Sequence, residues 1–291
     1  MIFRNKVRRL SPVSTALAIP FFLLNGTFAL GTAGHAQSLV ANATEVAPLK
    51  RAHAHNDYLH ARPLLDALDN GFASAEADIY LVGGELLVAH DKKDLTPERS
   101  LKRLYLEPLA KRIKQNQGRV FSGSEQVFTL LVDIKSEASS TYLALEKELS
   151  PYREWLTQVE DDRRRTGAVE VIVSGNRPRE LMLSQPNRLA SYDGRVSDLD
   201  SETSPLFMPL VSERWGALFR WNGEGSLPPD QQEKLSNLVK QAHAKGYRLR
   251  FWATPETESV WQKLLKMDVD HINTDDLPGL SGFLRVHDAS R

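Results

Sequence analysis

Residues Arg51–Asp91 read RAHAHNDYLHARPLLDALDNGFASAEADIYLVGGELLVAHD. The run parses as strand, helix, strand. Leu49–His55 is extended in pattern. Arg62–Asn70 sets Leu64, Leu65 and Leu68 at helical spacing and stops at Gly71, a natural helix terminator. Phe72–Tyr80 reads as a second strand, Gly83-Gly84 as a tight turn, and Glu85–His90 as a short return strand. Glu76 and Asp78 lie two apart on the second strand and so point the same way. Paired like charges in an apolar strand are unfavourable unless a cation or a proton neutralises them. His53, His55 and His90 flank the pair with groups that titrate near neutral pH. A cation site beside an acid–base pair is the equipment of phosphodiester chemistry.

The βα alternation continues to the C-terminus. Helices are expected over Thr96–Gln115, Ser140–Val159, Pro228–Lys245 and Glu256–Lys266. Strands are expected at Val127–Ile134 (VFTLLVDI), Val169–Ser174, Leu189–Tyr192, Gly216–Trp221, Tyr247–Ala253 and Val269–Thr274. About eight strands alternating with helices favour a closed parallel (β/α)8 TIM barrel, a single α/β domain over residues 49–291. An open doubly wound sheet is the other arrangement, and no Gly-rich dinucleotide fingerprint supports it.

Arg4, Lys6, Arg8 and Arg9 precede a mostly apolar stretch, Ala16–Ala33, and Gly34-His35-Ala36 resembles a small-x-small cleavage site. A signal peptide over 1–36, cut after Ala36, is therefore expected, followed by a linker over 37–48. Pro20, Asn25 and Gly26 interrupt the apolar run, which argues against a stable membrane span. Lys plus Arg and Asp plus Glu each number 37, so no net field favours nucleic acid or an anionic membrane. With no cysteine, disulfides, thiolate metal sites and Cys nucleophiles are all excluded. Export without disulfides points to a periplasmic or secreted protein.

Active groups of such a barrel gather at the C-terminal ends of its strands. There the chain places His53 and His55, Glu76 and Asp78, His90, Asp133 and Lys135, and Thr274 and Asp275. Glu76, Asp78 and Asp133 can supply carboxylate ligands for one Mg²⁺ or Ca²⁺. His53-x-His55 leaves open a transition-metal hydrolase instead. Lys135 projects to the side of Asp133, either as a simple salt bridge or as a phosphate-binding charge. Trp252, near the end of the YRLRFWA strand, is either core or a wall of the substrate pocket.

At these residues the chain resembles the glycerophosphodiester phosphodiesterase and phosphatidylinositol-phospholipase-C-like superfamily of TIM barrels. The shared signatures are the strand-end histidine, Glu76-x-Asp78, His90-Asp91, Asp133-x-Lys135 and Val269–Pro278. HAHNDY and LTPERSLKRLYLEPL look most similar to the branch named for altered inheritance of mitochondria protein 6. Asp rather than Glu at position 133, with the short spacing from His55 to Glu76, is also similar to sphingomyelinase D. The chain departs from glycerophosphodiesterases beyond position 133 as well: Ala54 or Asn56 stands where they carry Arg, and their P-E-N-T motif is absent. The resemblance implies metal-assisted attack on a small-molecule or lipid phosphodiester. Glu76, Asp78 and Asp133 would hold the ion, and Lys135 would neutralise phosphoryl charge. His55 and His90, or His53 in place of His55, would move protons, and Asn56 would contact the phosphate. A non-catalytic phosphate- or carbohydrate-binding barrel is the alternative that the missing Arg suggests.

Overall fold

A computed structural model describes residues 46–288. The expected signal peptide, its cleavage site and the linker up to residue 45 lie outside the described residues. Twelve strands are described: β1 Leu49–Ala54, β2 Phe72–Val82, β3 Glu85–Val88, β4 Phe128–Ile134, β5 Gln158–Glu160, β6 Arg163–Arg165, β7 Val169–Gly175, β8 Asn187–Arg188, β9 Ala190–Gly194, β10 Leu210–Arg214, β11 Arg248–Trp252 and β12 Ile272–Thr274. Eight of them form one parallel sheet in the order β11-β10-β9-β7-β4-β2-β1-β12. A parallel bridge between Arg250 and His271 brings the two ends of that sheet together. The chain is thus a nearly closed (β/α)8 TIM barrel, the fold that its βα alternation implies. Strand β3 folds back antiparallel on β2 outside the barrel wall. Strands β6, β5 and β8 form a separate small antiparallel sheet.

The barrel strands are apolar because both their faces are covered. Phe72–Tyr80 is buried throughout, as are Phe128–Val132 and Val169–Ser174. Some interior positions are polar and paired. Glu170, 2 % exposed, accepts from Arg248 at 2.5 Å and has the Arg164 guanidinium 2.9 Å away, positive charge that offsets the burial of its carboxylate.

Three sequence expectations need correction. Gly216–Trp221 is not a strand; the strand is Leu210–Arg214, and Trp215–Leu218 is a short helix. Trp215, Leu218 and Phe219 recur at helical spacing, and the Trp215 and Phe219 rings lie 4.2 Å apart. The helix expected over Ser140–Val159 ends at Leu149, where Pro151 removes a backbone donor. The helix expected from Thr96 begins only at Lys102, with one π-helical turn, Lys102–Leu106, leading into Glu107–Gln115. The C-terminal helix Leu277–Asp288 was not anticipated.

The connection after β1 is built around a buried carboxylate. Asp57 is fully buried, and its Oδ2 accepts from the Leu64 amide at 2.5 Å and the Tyr105 hydroxyl at 2.8 Å. That ties the turn carrying His55 and Asn56 to the segment carrying Tyr105. Burial pushes the Asp57 carboxyl up to about 6 from 3.8, against the pull of these two donors. A raised folded-state value means that the native chain holds the proton more tightly. The resulting stability is complete below about pH 4 and is lost as pH rises through about 6. Asp57→Asn, which keeps the acceptor but cannot ionise, should therefore gain on the wild type by about 2 kcal/mol between pH 4 and pH 7. Denaturant unfolding at the two pH values measures this, and a constant difference would show that Asp57 does not titrate there.

Candidate active site

Strand register assembles the site. Asp78 of β2 lies opposite Asp133 of β4, and Asp133 lies opposite Ser174 of β7. Ala54 of β1 pairs with Thr274 of β12, so His55 and Asp275 emerge side by side. His55, Asn56, Glu76, Asp78, His90, Asp133, Lys135 and Trp252 all line one cavity of about 280 Å³. A larger cleft of about 760 Å³ lies elsewhere, near the starts of β4 and β7, and contains none of these groups.

One oxygen from each of Glu76, Asp78 and Asp133 lies within 4.8 Å of the others, the one such group of potential metal ligands among the described residues. Their titration reflects the crowding. Burial and the charge of Glu76 push the Asp78 carboxyl up to about 7, and burial raises that of Asp133. Burial opposes the charge on Glu76 too, but the Arg250 guanidinium and the neighbouring histidines hold it well below the usual carboxylate range. Lys135 Nζ sits 3.2 Å from Asp78 and 3.1 Å from Asp133. Although burial disfavours its charge, the two carboxylates raise its pKa. One monovalent cation shared by two carboxylates leaves the cluster partly unneutralised. A set of three hard oxygen donors with excess negative charge suits a divalent cation such as Mg²⁺ or Ca²⁺.

Gly175 makes room for this cluster. Its φ is +68°, and a Cβ there would lie 2.1 Å from Asp133 Oδ1. Tyr58, buried among core residues, sets its hydroxyl 2.7 Å from both Asp78 Oδ2 and Asn56 Oδ1. The one hydroxyl proton can be donated to only one of these oxygens at a time. Asn56 itself adopts the left-handed conformation, φ 47°.

His53 of β1 and His55, on the turn that follows, differ sharply. His53 is 1 % exposed and shares a 2.7 Å hydrogen bond between Nδ1 and Ser74 Oγ. Burial, helped by Arg250, pushes its pKa down to about 3, so it stays neutral. It lies behind the cavity, with Nε2 4.0 Å from Glu76. His55 faces the cavity and donates from Nδ1 to Asp275 at 2.9 Å, leaving Nε2 3.7 Å from Glu76. Burial works against its charged form, but Asp275 and Glu76 outweigh it and the pKa is raised. Both histidines approach Glu76 Oε2, and neither belongs to the three-carboxylate group. His90 follows β3, 58 % exposed, with Nδ1 3.5 Å from Asp91.

Several groups here escaped the sequence reading. Arg250, 2 % exposed, donates to Asn273 at 2.8 Å and to Glu76 at 3.2 Å. Its signal was present in YRLRFWA, where Arg248 and Arg250 alternate with Leu249 and Phe251. That pattern reads as a solvent face in an open sheet, but inside a barrel it is the inner face. Ser174 and Arg195 also line the cavity, with no local motif to mark them.

The model of the AIM6-like phosphodiesterase domain matches residues 41–193, and that of the glycerophosphoryl diester phosphodiesterase family matches residues 248–278. The chain is 32 % identical to altered inheritance of mitochondria protein 6 of Eremothecium gossypii, covering 85 % of this chain and 73 % of that one. It is 30 % identical to the homologue from Arthroderma benhamiae, covering 79 % and 82 % respectively. The crystal structure of a glycerophosphodiester phosphodiesterase from Agrobacterium tumefaciens superposes with a TM-score of 0.50 at 14 % identity. That alignment covers 82 % of this chain and all of the other, and the likeness is one of fold.

The close approach at Gly175 gives a direct test. Gly175→Ala should lower unfolding free energy by about 2 kcal/mol, through left-handed strain and displacement of Asp133. It should also weaken Ca²⁺ binding, read by calorimetry, at least about 10-fold. Unchanged stability and binding would mean that the Asp133 carboxylate has other room to occupy.

Proposed function

The chain belongs to the AIM6-like phosphodiesterase domain family, and from that premise we propose that it is an exported, divalent-cation-dependent phosphoric diester hydrolase. Its substrate is a glycerophosphodiester or a phospholipid-related diester. The observation that carries this reading is the convergence of Glu76, Asp78 and Asp133 within 4.8 Å, in a cavity that also presents His55, His90 and Lys135. Export rests on the basic, apolar and small-x-small order of residues 1–36. It predicts a mature chain that begins at Gln37, which N-terminal sequencing of the native protein reads directly.

Glu76, Asp78 and Asp133 would hold one Mg²⁺ or Ca²⁺. When bound, that ion supplies positive charge against the phosphoryl oxygens. Lys135, at the margin of the same carboxylates, adds a second positive group toward those oxygens. Asp275 orients the His55 ring by accepting a hydrogen bond from Nδ1–H, so Nε2 is the atom left to exchange a proton with substrate. The nucleophile, water or a substrate hydroxyl, loses its proton to one of His55 and His90 as its oxygen bonds to phosphorus. The other histidine protonates the ester oxygen as its bond to phosphorus breaks. His53, neutral and hydrogen-bonded to Ser74, keeps Glu76 company from behind. Asn56 lines the cavity with its amide nitrogen 3.4 Å from Asp275 Oδ1, within reach of a bound phosphate, and Trp252 supplies a wall.

Hydrolysis of bis(4-nitrophenyl) phosphate tests this. Excess chelator should abolish turnover, and Mg²⁺ or Ca²⁺ should restore it. Asp78→Ala and His55→Ala should each lower kcat by about 100-fold or more. Full rate in excess chelator would end the metal-dependent reading. An inactive wild-type chain that still binds inorganic phosphate would favour a non-catalytic binding barrel.

A further inference from the structure

The cavity is also lined by Ser174, Arg195 and Trp252, residues with no part in the proton transfers; Ser174 of β7 and Arg195 after β9 come from strands three and four places from β1 in the sheet. Arg195 is held firmly. Its amide donates to Asp198 at 2.7 Å, and its Nη1 donates to Asp193 Oδ2 and to the Gly194 carbonyl, each at 2.8 Å. Asp193 is completely buried, and the same Oδ2 accepts from the Ser174 hydroxyl at 2.7 Å. The Arg177 guanidinium braces this corner from behind, donating to the Asp193 carbonyl and lying 4.9 Å over the Tyr192 ring.

The charges of Arg195 and Asp193 cancel in number but not in direction. The carboxylate lies inside the protein, and the guanidinium, 26 % exposed, faces the cavity. The remaining contact of Nη2 is long, 3.4 Å to Ser174 Oγ. The wall therefore presents pre-oriented N–H donors and the positive end of a buried ion pair. Beside it, Trp252 already has the Arg214 guanidinium 5.9 Å from its ring centre. An ammonium group placed here would meet the Arg195 guanidinium, and Asp133, the carboxylate opposite Ser174, is already engaged by Lys135 at 3.1 Å.

Accepting the phosphodiesterase reading above, we infer that Ser174 and Arg195 form the subsite for the second substituent of the diester. It selects acceptor-bearing, hydroxyl-rich groups and rejects quaternary ammonium groups. The cavity, at about 280 Å³, is small for a ligand pocket, so it takes a headgroup and not acyl chains. Among glycerophosphodiesters, the polyol headgroup is favoured over choline.

Calorimetry with glycerophosphoglycerol and glycerophosphocholine tests this. It is run with Mg²⁺ in a His55→Gln background, which keeps both ligands intact. The polyol diester should bind about 10-fold more tightly or better, the difference expected from one charge-assisted hydrogen bond. Adding Arg195→Gln should weaken glycerophosphoglycerol by a similar factor and leave glycerophosphocholine unchanged or tighter, so that the preference collapses. Structural damage would instead weaken both ligands alike. Equal binding of the two, preference for choline, no binding of either, or parallel loss in Arg195→Gln would each overturn the assignment. Turnover of both compounds by the wild-type chain is measured alongside. A binding preference without turnover would end the hydrolase reading and leave the subsite standing. Turnover without preference would do the reverse.

Discussion

Backbone register between β2 and β4 places Asp78 directly against Asp133, and the rest of this end of the barrel answers the repulsion that follows. The pairing is part of the parallel ladder, so the two carboxylates cannot separate without breaking strand hydrogen bonds. Glu76, one pleat earlier on the same face, adds a third charge. Lys135 bridges Asp78 and Asp133, Arg250 meets Glu76, and the Tyr58 hydroxyl reaches Asp78. Gly175 yields the space that the Asp133 carboxylate fills. These devices lessen the crowding without ending it, since Asp78 still titrates near neutrality. A site that holds like charges together at a cost in stability is organised for a ligand of opposite charge.

The same cluster divides the labour of the histidines. His53 lies on β1 and His55 on the turn that follows it, and both approach the same Glu76 oxygen. Their titration runs in opposite directions because their second partners differ. Ser74 offers His53 a neutral hydroxyl in full burial, which gives no support to an imidazolium. Asp275 offers His55 a carboxylate at the cavity rim, which does. Complete burial and Arg250 thus hold His53 neutral, while at His55 Asp275 and Glu76 together outweigh burial.

How much of this was legible in the sequence follows from the range of each interaction. The barrel was readable because its signals are local: apolar strands, helical spacing and terminating glycines recur unit by unit. The acidic cluster was readable because Glu76 and Asp78 share a strand and Asp133-x-Lys135 ends another. The misread strand at Gly216–Trp221 failed on period. Leu210–Arg214 carries a short apolar run before two charges, while the richer aromatic run beyond it belongs to a helix. Arg250, Asn273 and Ser74 went unread because their meaning depends on closure of the barrel. Only when β11 meets β12 does a basic residue in an amphipathic-looking strand become an interior partner of Glu76.

That closure also explains the departure from the glycerophosphodiesterase pattern at the first histidine. Ala54 is fully buried against the core, and its Cβ faces away from the histidines on either side, so no guanidinium could reach the cavity from there. Asn56 is in a left-handed turn with its carbonyl oxygen bound by Tyr58, so its geometry suits a short amide. Neither position can carry an arginine without rebuilding the turn. Positive charge beside Glu76 comes instead from Arg250, which the sheet order places on the far side of β12. What the chemistry of the cluster demands is a cation within hydrogen-bond reach of the innermost carboxylate. A closed barrel can deliver it from any strand whose inner face points there, so the charge can be kept while its place in the sequence moves.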